Sequence, residues 1–437
     1  MIKKIQDIFS IPELKRRVLF TLGLLIVYRI GGHITAPGVN PIALKAFFTA
    51  QAGTIFALYD LFAGGNLSRA TIFALGIMPY ISASIILQLL QAVIPYFEKL
   101  AKEGEEGRKK LTQYTRYGTV GLSLIQSFGI SIFLANMNVG GVPVVPQGGI
   151  SFTLLTMITM TAGTIFIMWL GEQISERGIG NGISLIITVG IIARYPANFL
   201  DTWRALKLGQ VTPFRMVFFV VLIIAVVAGV ILITQGQRRI PVQYAKRIVG
   251  RRVYGGRAQY IPLRVNTAGV IPIIFAQAIM MFPSTLATLP FFRNSEFMGS
   301  FMTVFSPGSW VYLTLYGAII IFFTYFYTAI VLNPVDLADN MQKYGGFIPG
   351  IRPGKRTSDY IDRILSRVTL PGAIFLAFIA ILPDVLYRKA GLPFYFGGTG
   401  VLIVVGVMLD TLQQIETHLL MRHYDGFMKK GKLRGRR

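Results

Sequence analysis

Apolar runs separated by short polar or basic stretches dominate the chain, and ten of them are predicted to be membrane-spanning helices: 18–36, 70–94, 114–135, 152–170, 182–198, 214–234, 265–289, 309–332, 369–387 and 397–420. A helix rises 1.5 Å per residue, so crossing the hydrocarbon core takes about 20 residues. One apolar stretch is too short. Residues 54–62 make about half a span and end at Gly64-Gly65-Asn66, where glycine permits a sharp reversal. After it Ser68 offers an N-cap, and 70–94 runs 25 residues without a charge; it is predicted to cross as a helix kinked at Pro79. A non-spanning helix is tolerated at membrane depth only where protein or a water-filled cavity surrounds it. The pair therefore points to a cavity.

The segments between spans alternate in charge. One side holds Lys99, Lys102, Arg108, Lys109 and Lys110, then Arg177, then eight cations between Arg238 and Arg264, then Lys343, Arg352, Lys355, Arg356, Arg363 and Arg367. The other side is sparse: 136–151 has no charge, and its richest loop sets Arg194, Arg204, Lys207 and Arg215 against Asp201. The positive-inside rule then places both termini in the cytoplasm and requires an even number of spans, which ten satisfies. Five plus five makes each half odd, so any structural repeat is inverted in the membrane. The fifth span is short and follows Gly178-Ile179-Gly180-Asn181-Gly182, so it is expected to be shielded by neighbours. Arg29, near the outer end of the first span, has a stem long enough to snorkel. Residues 1–17 carry Lys3, Lys4, Lys15, Arg16 and Arg17 ahead of a full span with no small-residue cleavage site, which reads as an uncleaved first span.

Composition agrees, with 53% hydrophobic and only 14% charged residues; soluble domains have about a quarter charged. The net charge of +24 raises the question of nucleic acid, but the cations are gathered in loops on one side. The absence of cysteine excludes disulfides, thiol nucleophiles and thiolate metal sites. Three histidines, His33, His418 and His423, are too few and scattered for a metal or catalytic site. The run 351–357 fails the phosphate-loop pattern, because Pro349 stands where its first glycine belongs and Arg356 follows Lys355. Gly178, Gly180 and Gly182 follow no strand. No metal, cofactor or enzymatic activity is expected. An ion-coupled secondary transporter is the alternative, but such carriers use intramembrane acids, and the spans are nearly free of them, with Asp410 and Glu416 toward the cytoplasmic half of the last. A basic membrane anchor for RNA or ribosomes is a third class, and it leaves the half-span unexplained.

Several long runs resemble the SecY family, the pore subunits of the bacterial protein-conducting channel: LSRATIFALGIMPYISASIILQLL from Leu67, EGRKKLTQYTRYGT from Glu106, MWLGEQISERGIGNGIS from Met168, GQRRIPVQYAKRIVGRRVYGG from Gly236, LRVNTAGVIPIIFA from Leu263, NPVDLADNMQKYGGFIPGIRPGKRT from Asn333 and PFYFGGTGVLIVV from Pro393. The resemblance covers essentially the whole chain. It implies an all-α polytopic fold of ten helices in two inverted halves, 18–200 and 214–420, around an hourglass pore, with a lateral opening between spans two and three and spans seven and eight. It puts the constriction ring on Ile77, Ile81, Ile183, Ile187, Ile274 and Ile403; the first two pairs are spaced i, i+4, so each pair shares a helix face. Such a ring excludes water and ions by dewetting. The plug falls on 54–65, with Phe56, Leu58, Tyr59, Asp60, Leu61 and Phe62; Asp60 is a departure from a purely apolar stopper. Gln88, Gln126 and Gln277 are candidates for polar pairing at the lateral opening. The basic loops 235–264 and 333–368 would dock the ribosome and the SecA motor through Arg238, Arg239, Lys246, Arg247, Arg251, Arg252, Arg352 and Lys355, with anionic lipid as a further partner. Arg352 lies between Pro349-Gly350 and Pro353-Gly354, on a stiff tip. The family further implies the small subunits SecE and SecG, signal peptides and nascent chains as partners, and the bacterial inner membrane as location. The basic tail 421–437 is expected on the cytoplasmic side.

Overall fold

The computed structural model describes residues 11–50, 59–60, 62–139, 141–209, 212–244, 247–249, 252–254, 258–287, 309–390 and 398–430. Its helices are α1 (Pro12–Gly31), α2 (Pro41–Ala50), α3 (Met78–Val93), α4 (Pro95–Lys102), α5 (Glu105–Ala135), α6 (Ile150–Arg177), α7 (Gly182–Ile192), α8 (Tyr195–Lys207), α9 (Pro213–Gln235), α10 (Ile271–Ala287), α11 (Trp310–Val331), α12 (Pro334–Lys343), α13 (Lys355–Ala390) and α14 (Gly398–Lys430). All ten expected stretches hold helix. Among the described residues seven helices are long and apolar enough to cross a membrane, and an eighth counts if α3 and α4, bent by 99°, form one broken span. In α1 the charges Lys15, Arg16, Arg17 and Arg29 interrupt the apolar run, and the apolar part of α10, Ile271–Met281, is shorter than a span. Helix α9 is apolar all round, with Phe214, Val217, Val221, Ile224 and Leu232 exposed, as on a lipid-facing helix.

The chain divides into two compact units, one from Met1–Arg204, Ala278–Pro307 and Val407–Arg437, the other from Ala205–Gln277 and Gly308–Gly406.

In the first unit the second span begins later than its hydropathy predicts. Residues 67–77 form turns, with left-handed backbone at Ala70 (φ 44°) and Gly76 (φ 57°), and helix starts only at Met78. The backbone of this stretch is engaged elsewhere: the N–H of Ala36 donates to Ala70 O at 2.7 Å, and that of Ile72 to Ile34 O at 3.0 Å. Pro79 does not kink the span. It occupies the first turn of α3, where a missing N–H leaves no helical bond unmade. Phe73 anchors the turns by stacking between Tyr28 of α1 and Phe166 of α6. Helices α5 and α6 meet across small hydroxyl residues: Thr115, Thr119, Ser123, Ser127 and Ser131 recur every fourth residue and are buried, and Ser127 Oγ lies 3.4 Å from Thr161 Oγ1 of α6. This is the close, neutral packing that membrane helices favour. Helix α7 is shielded as expected: Ile186, Ile187, Thr188 and Ile191 are buried, Asn181 caps it by accepting from Ser184 N, and a Cβ on Gly182 would stand 2.0 Å from Gly171 O of α6.

In the second unit the two basic stretches, expected as loops, are instead folded together. Strand β3 (Gln237–Tyr244) pairs antiparallel with β6 (Ala258–Arg264) and with β7 (Gly346–Phe347), while β4 (Arg247–Val249) and β5 (Arg252–Tyr254) form their own hairpin. A further hairpin, β1 (Asn138–Val139) with β2 (Val142–Pro143), lies in the first unit. The sequence RRIPVQY alternates as a strand does: Ile240 and Val242 are buried, and Arg239, Pro241 and Gln243 are exposed. Strand β7 pairs with Gln243 and Tyr244, so among the described residues Pro241 lies where β3 has no second neighbour and its missing N–H is tolerated.

Candidate functional site

Two places gather the residues singled out from sequence. The first is the short helical piece before the second span. Phe56, Leu58 and Leu61 lie outside the described residues; Tyr59, Asp60 and Phe62 are helical and buried. The chain then reverses at Gly64 (φ 73°) and Gly65 (φ 81°), as the glycines predict. Polar contacts hold this piece. Tyr59 donates its hydroxyl to Leu75 O at 3.3 Å, and Asn66 Nδ2 donates to Ala63 O at 2.6 Å and to the Tyr28 hydroxyl at 3.3 Å. Asp60, 1% exposed, is not a misfit. Its carboxylate accepts the backbone N–H of Ser68 at 2.8 Å and is ion-paired with the guanidinium of Arg194, just beyond α7. Gly64 meets α7 directly: a Cβ on it would stand 2.9 Å from Gly190 Cα. Arg194, Gly190 and Ser68 were not legible as parts of this site, because no local pattern links 60 to 194.

The ring residues are divided. Ile77, Ile81, Ile183 and Ile187 belong to the first unit, Ile274 and Ile403 to the second. Ile77 is the N-cap residue of α3 rather than part of its body, and its carbonyl accepts from Ile81 N at 3.1 Å, so the two remain one turn apart. Ile77, Ile81, Ile187, Ile274 and Ile403 are buried. Ile183 is half-buried and packs toward α6, its Cγ1 3.0 Å from where a Cβ on Gly171 would stand. Along α7, Ile183, Ile187 and Gly190 follow the i, i+4, i+7 spacing of one helix face, and Arg194 lies in the turn just beyond the helix. Of the three glutamines, Gln88 donates to Ser84 Oγ of its own helix at 3.1 Å. Gln126 Oε1 and Gln277 Nε2 are buried without a hydrogen-bond partner among the described residues.

The second place is the folded basic platform. Ile240, Val242 and Leu263 from the sheet pack on Met341 of α12, Ile348, and Ile361 and Leu365 of α13. Each such side chain contributes about 1.5–3 kcal/mol on full burial. The core leaves cations outside: Arg238, Arg239 and Arg264 are exposed, as is Tyr260, which faces Pro241 across the ladder. The tip 349–354 turns at Gly350 (φ 82°) and Gly354 (φ 98°). It is pinned by buried Ile348 before it and by Thr357, whose hydroxyl donates to Arg352 O at 2.9 Å, and it presents Arg352 exposed. Lys355 opens α13 with no acid in the first turn, where a cation opposes the helix dipole. Lys246 and Arg251 lie outside the described residues; Arg247 and Arg252 are in β4 and β5, their side chains outside them too. Among the described residues, Arg238, Arg239, Arg264, Arg352 and Lys355 form no ion pair with a carboxylate. The cations of α4 and the start of α5 differ, since Lys102, Lys109 and Lys110 are paired with Glu98, Glu105 and Glu106. The Lys102 hydrogen bond holds the Glu98 carboxyl below its ordinary pKa, and the Glu106 hydrogen bond raises that of Lys110. Exposed, unpaired cations on a stiff platform are a surface for an acidic or phosphate-bearing partner.

Comparison with known proteins places this architecture. The SecY family model matches residues 71–412. The protein translocase subunit SecY of Aquifex aeolicus is 47% identical over 432 residues, covering 98% of this chain and 100% of that one; that of Escherichia coli K12 is 47% identical over 429 residues, covering 98% and 96%. The fold matches a solved protein-conducting channel (TM-score 0.63, 19% identity, 92% of each chain) and a SecY whose plug domain is described as stabilising the closed state (0.61, 18%, 92% of each). It also matches canine Sec61 from a ribosome–channel complex of the endoplasmic reticulum (0.58, 18%, 92% of each). With near-half identity along almost its full length, this multi-pass membrane chain belongs to the SecY family.

Proposed function

We propose that the chain is a protein-conducting channel of the general secretory pathway, which threads unfolded polypeptides across the membrane and releases hydrophobic helices sideways into lipid. The observation that carries this reading is the docking of the short piece around Tyr59, Asp60 and Phe62 against α7, which bears Ile183 and Ile187: Gly64 meets Gly190 of α7, and Asp60 pairs with Arg194 just beyond it. A stopper and a hydrophobic constriction then share one helix. In this reading Ile77, Ile81, Ile183, Ile187, Ile274 and Ile403 form the constriction, residues 54–65 the plug, and Gln88, Gln126 and Gln277 lie along the lateral gate between two inverted halves. A ring of branched aliphatics offers a passing chain no specific partner, which suits a substrate of any sequence.

The channel is passive and not itself an enzyme. Energy comes from the SecA ATPase or the translating ribosome, docked on the platform; the ribosome-bound relative Sec61 supports the latter. SecE and SecG clamp the chain in the bacterial inner membrane, with its termini, platform and basic tail in the cytoplasm. The transporter alternative finds no support, since none of the relatives described above is an ion-coupled carrier. In vesicles reconstituted with SecA, SecE and SecG, addition of ATP is expected to make a secretory precursor protease-protected. ATP-independent protection, or none despite correct insertion, would contradict the proposal.

A further inference from the structure

The channel reading leaves one question: what keeps an apolar stopper seated in a cavity that must open for any chain. Packing alone gives no directional hold. Asp60 is the single acid in 54–65 and is buried, yet it is satisfied on both oxygens, by Ser68 N–H on Oδ1 and by Arg194 on Oδ2. The two partners differ in kind. Ser68 lies eight residues along the same chain segment, whereas Arg194 lies 134 residues away, beyond α7. Gly64 and Gly190 approach backbone to backbone one helical turn from each end of the pair, which fixes its register.

We propose that the Asp60–Arg194 ion pair is a latch for the plug, and this inference rests on the assignment of 54–65 as the plug. Displacing the plug while Asp60 keeps its Ser68 contact parts the Tyr59–Leu75 hydrogen bond and the Gly64–Gly190 contact as well as the charged link to Arg194. Breaking that link strands a charge in a buried site, so the seated state is favoured until a passing chain or an opening motion supplies the difference. Arg194 has 31% of its side chain exposed, so it is left hydrated when the plug moves and re-forms the pair when the plug returns. Helix α7 carries Ile183 and Ile187, so a shift of α7 that widens the constriction also moves the latch.

The test is the resting ion conductance of the full chain with its partner subunits in planar bilayers. Asp60→Asn keeps the shape and the Ser68 contact and removes the charge; it and Arg194→Gln are each expected to raise conductance about tenfold. The double variant Asp60→Asn with Arg194→Gln is expected to be no leakier than the leakier single one, because both break one interaction. Arg194→Lys, which keeps the charge, should leak less than Arg194→Gln. Multiplying effects in the double variant, or equal leaks from Lys and Gln, would overturn the latch. Should Asp60→Asn fail to accumulate, the Lys–Gln comparison at Arg194 decides alone. Deletion of 54–65 separates the two readings: a leak on deletion with no leak from either single variant rejects the latch and keeps the plug, whereas no leak on deletion rejects the plug itself.

Discussion

Residues 59–77 and the basic platform are held together in opposite ways. In the first, a largely apolar sequence is fixed, beside the stacking of Phe73, by a few polar contacts: the Asp60 carboxylate on Ser68 and Arg194, Tyr59 on Leu75 and Asn66 on Ala63 and Tyr28. In the second, a strongly basic sequence is fixed by seven buried apolar side chains from Ile240 to Leu365. Each uses the kind of interaction its surroundings make scarce. Apolar packing is weakly discriminating in a membrane, where lipid is as apolar as protein. Beside water, burial is the dominant stabilising term and charge is cheap to leave exposed. The platform can therefore be rigid with its cations free for a partner, and the short helical piece can be seated yet released.

The contrast is sharpest when a charge is added to the apolar core. Leu263→Asp buries an unpaired carboxylate and is expected to cost about 3–5 kcal/mol, exposing 237–264 to limited proteolysis while the first unit stays protected; an intact proteolytic pattern would break the comparison. Gly64→Ala is next. A left-handed backbone costs a side chain about 1–2 kcal/mol, and the new Cβ meets Gly190 Cα at 2.9 Å. The expected result is a lower melting temperature in detergent together with a raised resting conductance; a wild-type melting temperature would mean that the two glycines are not in contact. The smallest effect on stability is that of Arg352→Glu, within about 0.5 kcal/mol for an exposed tip residue. It is nonetheless expected to abolish SecA-driven transport at normal protein level. Unchanged transport would remove Arg352 from the docking surface.

Much of this was legible in the sequence. Each of the ten stretches picked by length and hydropathy holds helix, seven or eight of them long and apolar enough to cross a membrane among the described residues, and Gly64-Gly65 announced the reversal after the half-span. The start of α3 was not legible, because in TIFALGIM turn and helix are equally apolar; Gly76 just ahead of Pro79 was the available signal. The platform was hidden by its charge. Alternation of Ile240 with Val242 and of Ile261 with Leu263 is present, but the pairing of Tyr244 with Gly346 joins segments about a hundred residues apart, which no local period reveals. Asp60 stood out as an anomaly in a stopper, while its partner Arg194 looked like an ordinary outer-loop cation.

The most direct measurement places a photocrosslinker at Ile81 and, separately, at Ile274, and supplies a secretory precursor stalled midway through translocation. Crosslinks from both positions to the mature part of the precursor, absent when SecA or ATP is withheld, are the expected result for a constriction that polypeptides traverse. No crosslink from either position, with the precursor demonstrably stalled across the membrane, would contradict the channel.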